Sequence, residues 1–371
     1  MVYVLIAFLI SLVVTLLLVR YNTLHAKYTA DHDISSVQKY HAVPVPRVGG
    51  ISILVAMFGV CILAAFRESP LQHELLTLMA VSMPAFLGGL AEDITKKVRV
   101  LVRLGLAMVS GAGAYYFLGA ELTRLDIFGV DWLLQFTVVS FTVTIIAMAG
   151  AANAINIIDG YNGLAAVISA MIFAGFAYVS YYLGDRLILV TAVGMIGALA
   201  GFLVWNYPRG LIFLGDGGAY FVGFVMGALS VLLLARHPQV SAWFPLLLCI
   251  YPVFETLFSI YRKKFLRGQS PGMPDGVHLH MLIYKRLTRW AGGPNVRHQT
   301  HRNAMTSPYL WLLSSFAVIP AVLFWQYESL LMVFTLSFSA LYLILYRKLV
   351  RFETPFWLTG NRRRRRVGRR K

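Results

Sequence analysis

The chain has 371 residues, of which 58% are hydrophobic and only 13% charged, about half the charged share of an average soluble domain. This deficit excludes the pair of soluble domains that length alone would suggest and places most of the chain in lipid. The formal net charge of +17 would suggest a nucleic-acid partner in a soluble protein, but here the position of the charges says more than their sum.

Runs of about 17–20 apolar residues can cross the hydrocarbon core as helices. The chain offers eleven: 2–19, 49–66, 74–91, 102–118, 132–150, 163–182, 187–204, 217–235, 242–260, 308–324 and 329–346. The first is followed, not preceded, by Arg20 and has no small-residue cleavage site behind it, so it reads as a spanning helix and not a removable leader. Cys61 and Cys249 each lie inside an apolar run and read as buried small hydrophobes, with no disulfide framework or metal knuckle.

Basic residues set the orientation. With the N-terminus outside, 29 of the 33 Lys and Arg fall in the inside segments, leaving only Arg67, Arg124, Arg186 and Arg236 outside. The expected fold is therefore an all-α integral membrane protein with about eleven transmembrane helices, a periplasmic (external) N-terminus and a cytoplasmic C-terminus. Residues 1–350 form the polytopic domain, with cytoplasmic loops at 20–48, 92–103, 151–162, 205–216 and 261–307, and 351–371 form a basic tail. The block Arg362–Arg366 with Arg369, Arg370 and Lys371 reads as a topology determinant held against anionic headgroups, at ~1 kcal/mol per charge. It lacks the aromatic interleaving of a nucleic-acid surface, and no nucleic-acid partner is expected.

A carboxylate at mid-bilayer costs on the order of 2.5–3.5 kcal/mol even on the gentlest insertion scale, so acids beside spans tend to be functional. The acids assigned to external loops (Glu68, Glu74, Glu121, Asp126, Asp131, Asp185, Glu328) form no cluster that suggests a site, whereas the cytoplasmic ones sit in short motifs at helix ends. Gly88-Gly89-Leu90-Ala91-Glu92-Asp93 ends one span. Its paired acids are either an interfacial charge cluster or a set that binds a divalent ion or helps deprotonate a phosphate acceptor. In the stretch 153–163, Asn153, Asn156 and Asp159 recur every three residues and share a helix flank before a Gly-x-x-Gly break. They are either polar glue between helices or oxygen ligands and nucleotide donors.

Asn206-Tyr207-Pro208-Arg209 leads to Gly215-Asp216-Gly217-Gly218, where an acid among glycines opens a span. Asp216 is either a plain N-cap or part of a site where backbone and helix N-terminus approach an anion. The last loop carries Arg267 and then Asp275-Gly276-Val277-His278-Leu279-His280. Histidines two apart face one site only on an extended or looped segment, as the nearby prolines and glycines suggest. The pair lacks the further ligands of a zinc site and, among Arg262, Lys263, Lys264, Arg267, Lys285 and Arg286, suits a pyrophosphate better.

The ordered set Glu92-Asp93, Asn-Ala-x-Asn-x-x-Asp-Gly-x-x-Gly-Leu (153–164), Gly-Asp-Gly-Gly (215–218) and Arg-Gly-x-Ser-Pro-x-x-Pro-Asp-x-x-His-Leu-His (267–280), with His-x-x-Pro-x-Pro-Arg-x-Gly-Gly at 41–50, resembles the polyprenyl-phosphate N-acetylhexosamine-1-phosphate transferases. These are the WecA-like branch of glycosyltransferase family 4, relatives of MraY. The resemblance covers residues 1 to about 350. It implies a Mg²⁺- or Mn²⁺-dependent transfer of a sugar-1-phosphate, by default GlcNAc-1-phosphate, from a UDP-sugar to undecaprenyl phosphate at a bacterial inner membrane, releasing UMP and initiating a surface glycan such as O-antigen or capsule. It further implies metal ligation by Asp216 and Asn156, catalytic roles for Glu92, Asp93, Asp159, His278 and His280, and substrate binding by Asn153, Asn206 and Arg267, with Asn206 near the uracil.

Two departures stand out. Glu92 replaces the usual first aspartate, which leaves the identity of any base open, and Met281 follows His280 where many relatives have a further histidine. The second departure argues against the peptidoglycan precursor as donor. The rival readings are a lipid-linked-sugar flippase, for which no internal repeat is evident, and a membrane metallohydrolase. The sugar, the pathway and a homodimer are left open by the sequence.

Overall fold

The computed structural model describes residues 1–23, 29, 45–67, 69–268, 270, 275–286 and 296–351. The basic tail after Arg351 and positions 41–44 of the first motif lie outside the described residues. Among the described residues there is no β-sheet, and fourteen α-helices follow one another. They are α1 (Val2–Arg20), α2 (Gly49–Arg67), α3 (Ser69–Thr95), α4 (Val100–Leu118), α5 (Val130–Leu134), α6 (Thr137–Ile158), α7 (Leu164–Leu183), α8 (Arg186–Asn206), α9 (Gly215–Arg236), α10 (Trp243–Leu248), α11 (Ile250–Tyr261), α12 (Leu279–Arg286), α13 (Val296–Leu323) and α14 (Glu328–Val350).

Ten of these are long and apolar enough to cross a membrane, namely α1–α4, α6–α9, α13 and α14. The protein is thus all-α and multi-pass in the membrane. The eleventh expected span, 242–260, is a broken helix. It divides at Cys249 into α10 and α11, and a five-residue π-helical turn, Arg262–Leu266, continues it. Pro252 supplies a reason for the break, because it has no N–H to give the Leu248 carbonyl one turn back and its ring crowds that carbonyl. The break is local: Cys249 N still donates to Pro245 O at 3.0 Å and Val253 N to Cys249 O at 3.3 Å.

Two boundaries move residues of interest from loop to helix. Helix α6 runs to Ile158, so Asn153 and Asn156 sit on it and not in the loop expected from 151. Helix α13 begins at Val296, within the loop expected to end at 307.

Helix α9 is the hub of the bundle: 89% of its apolar window is buried, against 22% for α1. It packs chiefly on α3 and α6, with α2 and α7 also against it, while α1 lies outside on α2 and α8. Helices in lipid gain little from hydrophobicity and associate where small residues let backbones approach. The contact between α3 and α9 shows this at Gly89, where a Cβ would come within 2.4 Å of the backbone carbonyl carbon and oxygen of Asp216. At the opposite end of the bundle, loop residues pair with one another. Arg124 meets Asp126 at 2.8 Å, Arg236 meets Glu74 at 3.1 Å and His237 meets Asp185 at 3.0 Å. Three of the acids expected in external loops, Glu74, Asp126 and Asp185, are thus occupied in pairs at that end.

The two glycines Gly89 and Gly105 make a paired test. No heavy atom lies within 4 Å of a Cβ at Gly105, so Gly105→Ala is expected to be neutral or to raise helix stability by up to about 1 kcal/mol. Gly89→Ala must push backbone aside and is expected to cost about 1–3 kcal/mol. Thermal unfolding in detergent measures both, and equal melting temperatures would contradict the close approach of α3 to α9.

Candidate active site

The site is built around the first turn of α9. A helix N-terminus leaves its first N–H groups without intrahelical partners, which must be satisfied when the end is buried. Here two carboxylates from other helices supply the acceptors. Asp93, near the end of α3 and 1% exposed, accepts from Asp216 N at 2.9 Å and Gly217 N at 2.8 Å. Asp159, the residue after α6, accepts from Gly215 N. Gly215 itself has φ +76°, and a Cβ there would collide with the Arg47 carbonyl oxygen, so the left-handed start of α9 requires glycine.

Because Asp93 does the capping, the side chain of Asp216 is left for other partners. The plain N-cap reading of Asp216 is therefore set aside: it is the second residue of the helix and caps nothing. Its Oδ1 accepts from Arg47 Nη2 at 2.8 Å and Asn156 Nδ2 at 3.0 Å, and its Oδ2 pairs with Arg103 Nη1. Arg47 Nε also lies 3.5 Å from Asp93 Oδ1. The Arg103 guanidinium sits over the Tyr220 ring at 5.6 Å, and Tyr220 Oη donates to Asn153 Oδ1 at 3.3 Å. Asp93, Asn153, Asn156, Asp159 and Asp216 thus belong to one connected cluster at one end of the bundle. Burial pushes the Asp159 carboxyl up to about 7, against the opposing pull of Arg47 and the Gly215 N–H.

The histidine motif reaches the same place. His278 precedes α12 and His280 lies in its first turn, and the two rings stack at 5.2 Å with an interplanar angle of 7°. This satisfies the requirement that the segment be looped for both to face one site. A Cβ on Gly160 would lie 3.9 Å from His280 Nε2, so His280 abuts the residue next to Asp159. Tyr161 packs edge-on against the same ring at 5.4 Å. Burial, with His278 beside it, pushes His280 down to about 3, so its ring is neutral at physiological pH. His280 is 1% exposed, and its Nδ1 has no hydrogen-bond partner among the described residues.

Three expected site residues are placed differently. Glu92 lies one residue, or about 100°, around α3 from Asp93, and its Oε2 accepts from Val98 N at 2.7 Å, closing the turn between α3 and α4. Asn206 is 5% exposed and its amide is bonded to backbone groups, accepting from Gly163 N at 2.6 Å and donating to Ile212 O at 2.8 Å. It fastens the 207–212 loop to the start of α7. Arg267 is partly exposed, with Nη1 3.6 Å from Asp275 Oδ1, while Arg262 makes the close pair with that acid. Sequence reasoning passed over Arg103, counted only as a loop charge, and Glu255, a 0% exposed acid on α11 that bonds His278. The signal that could have found them was the same for both: a charge inside an apolar helical run.

The donor set fits a hard divalent cation. Among the described residues no group of three or more His, Cys, Asp and Glu converges as a metal cage. Mg²⁺ characteristically takes one or two protein oxygens and completes its shell with water and substrate phosphates. Asp216 and the carbonyl oxygen of the neighbouring Asn156 amide are such donors, at the mouth of a helix N-terminus that also favours phosphate.

The family model of glycosyl transferase family 4 matches residues 75–234, a stretch that holds Asp93, Asn153, Asn156, Asp159 and Asp216 but ends before the histidines. The protein is 29% identical over 292 residues to a probable undecaprenyl-phosphate N-acetylglucosaminyl 1-phosphate transferase of Bacillus subtilis, covering 76% of its own length and 77% of that relative. It is 29% identical to an undecaprenyl-phosphate α-N-acetylglucosaminyl 1-phosphate transferase of Yersinia pestis (68% and 69% covered) and 28% identical to one of Thermotoga maritima (71% and 77%).

Asp93→Asn tests the architecture of the site. An amide can accept from only one of the two N–H groups and turns its NH₂ on the other, at a cost of about 1–3 kcal/mol for the unsatisfied donor. Hydrogen exchange should therefore speed up at the amides of residues 216 and 217 and stay unchanged in the middle of α9. Unaltered protection at both amides would contradict the cap.

Proposed function

We propose that the chain is a glycosyl transferase of the family whose model matches residues 75–234, and that it transfers a sugar-1-phosphate from a UDP-sugar to undecaprenyl phosphate at the cytoplasmic face of a bacterial inner membrane. N-acetylglucosamine-1-phosphate is the default group, by analogy with the named relatives. The product would initiate a surface glycan such as O-antigen or capsule. The observation that carries this reading is that Asp93, Asn156 and Asp216, each from a different span, meet at the first turn of α9, with the histidine pair next to Asp159-Gly160.

In the proposed reaction an oxygen of the lipid phosphate attacks the sugar-bearing β-phosphorus of the donor. A new P–O–P bond forms, the bond between the β-phosphorus and the α-phosphate oxygen breaks, and UMP leaves. Two anions must approach, so the site has to supply positive charge where charge builds up. Arg47 and Arg103 are two such cations, already at the site and presenting the forked donors that match phosphate oxygens. Asp93 holds the α9 N-terminus rigid, so its fixed dipole points at one place. The neutral ring of His280 offers hydrogen bonding next to Gly160 without adding charge. Asp216 and Asn156 would hold Mg²⁺ or Mn²⁺, which when bound neutralises phosphate charge and polarises the P–O bond. The acceptor's prenyl tail stays in lipid while its headgroup reacts, which accounts for a transferase built as a membrane bundle.

The test is purified protein with radiolabelled UDP-N-acetylglucosamine, undecaprenyl phosphate and Mg²⁺, scored for labelled lipid and released UMP. Both products are expected, and both should disappear with EDTA and return with excess Mg²⁺. A flippase forms neither product, and a hydrolase forms UMP without the lipid. Asp216→Asn should lower turnover by at least about 100-fold while the protein remains folded and inserted. Near-normal turnover in that variant would remove the metal-ligand assignment.

A further inference from the structure

Outside the cluster described so far, the most unusual group is the acid on α11. Glu255 is 0% exposed, inside the bundle, where an ionised side chain persists only with full compensation. It has that compensation. Its Oε1 lies 2.9 Å from His278 Nδ1 and accepts from Leu279 N at 3.2 Å, and its Oε2 accepts from Tyr342 Oη at 2.8 Å. Three groups able to donate converge on two oxygens, the pattern of a carboxylate and not of a protonated acid. A carboxylate only accepts, so the hydrogen of the His278–Glu255 bond sits on Nδ1. The tautomer of His278 is thereby fixed, with Nε2 left as the imidazole's second functional atom.

The consequence passes on by contact. The ring of His280 stacks on that of His278 at 5.2 Å and nearly parallel. Among the described residues His280 has no hydrogen bond at Nδ1 to set its plane, and stacking on His278 and the edge of Tyr161 define where it lies against Gly160. Tyr342 is itself anchored in α14, fully buried and edge-on to Phe254 and Phe258.

We propose that Glu255, held by Tyr342, is a positioning residue for the transferase reaction: it fixes the tautomer and plane of His278 and, through the stacked rings, places His280 against Gly160. Neither residue belongs to the segments from which the site was read, and α11 and α14 gain by this a role at the site. The inference rests on the transferase reading given above. Outer-shell carboxylates that orient imidazoles typically cost 10–100-fold in activity or affinity when removed.

A double-mutant cycle of Glu255→Gln and His278→Gln, read as kcat and KM for the UDP-sugar, tests the inference. Glu255→Gln alone is expected to lower kcat by about 10–100-fold with KM changed little. In the His278→Gln background it should cost no further activity, because residues acting as a unit are non-additive. Losses that multiply would overturn the inference, as would wild-type kcat in Glu255→Gln. Should Glu255→Gln fail to fold, Tyr342→Phe takes its place in the cycle with the same expected non-additivity. Nitrogen NMR of ¹⁵N-histidine-labelled protein reads the tautomer directly: His278 should carry its proton on Nδ1 in the wild type and lose that preference in Glu255→Leu, which removes the acceptor. An unchanged tautomer would overturn the inference even in a preparation without transferase activity, whereas absent wild-type activity with the tautomer shift intact would count against the transferase reading alone.

Discussion

The first turn of α9 is the constraint on which the remaining structure depends. That helix end is buried among four other spans, so its N–H groups have no water to turn to. Asp93 and Asp159, reaching in from α3 and α6, satisfy the first three of them. In doing so they fix where α3, α6 and α9 meet, and they place two acids at the positive end of a helix dipole, where anions are stabilised. Asp216 is thereby released from capping its own helix, and its carboxylate points to Arg47, Arg103 and Asn156 instead. One arrangement serves both fold and site, which is why glycine is required at 215 and small residues at the approach of α3.

Charge balance divides the two ends of the bundle. At the far end, Arg124 pairs with Asp126 of its own loop, while Arg236 and His237 pair with Glu74 and Asp185 from other parts of the chain. At the near end, three acids share two guanidinium groups within a largely buried cluster. In the proposed reaction such a cluster would exchange partners when phosphates arrive: Arg47 and Arg103 would trade carboxylates for phosphate oxygens, while Asp216 and Asn156 would offer oxygen to a cation. The acidic face of this exchange is prepared by the fold; the anionic face arrives with the substrates.

Most of the architecture could be read from the sequence because lipid makes the rule simple: a run of apolar residues long enough to cross must be helical. Ten such helices are found where expected. The stretch 242–260 escaped because hydropathy records length and composition, whereas the break at Cys249 depends on one missing N–H at Pro252. Ends of helices escaped for the related reason that α6 carries polar residues past Gly150, so the apolar run stops before the helix does. At the site, the spacing of Asn153, Asn156 and Asp159 and the glycines around Asp216 were legible as chemistry. Division of labour among them was not. That Asp93 and not Asp216 caps α9 is a fact of tertiary contact between segments far apart in sequence, whereas Glu92 closing a turn and the Asn206 amide tying backbone groups together depend on loop geometry that composition does not record. Glu255 was hidden in a run whose apolar neighbours masked a single acid, and its meaning appears only when α12 brings His278 to it.

The most direct test of the central claim is to locate the cation. Crystals of the protein grown with UDP and Mn²⁺, measured at the manganese absorption edge, should show one anomalous peak within ligand distance of Asp216 and Asn156, at the N-terminal end of α9, with the diphosphate of UDP beside it. A peak on the histidine pair, at the opposite end of the bundle, or none at all at saturating Mn²⁺ would contradict the account.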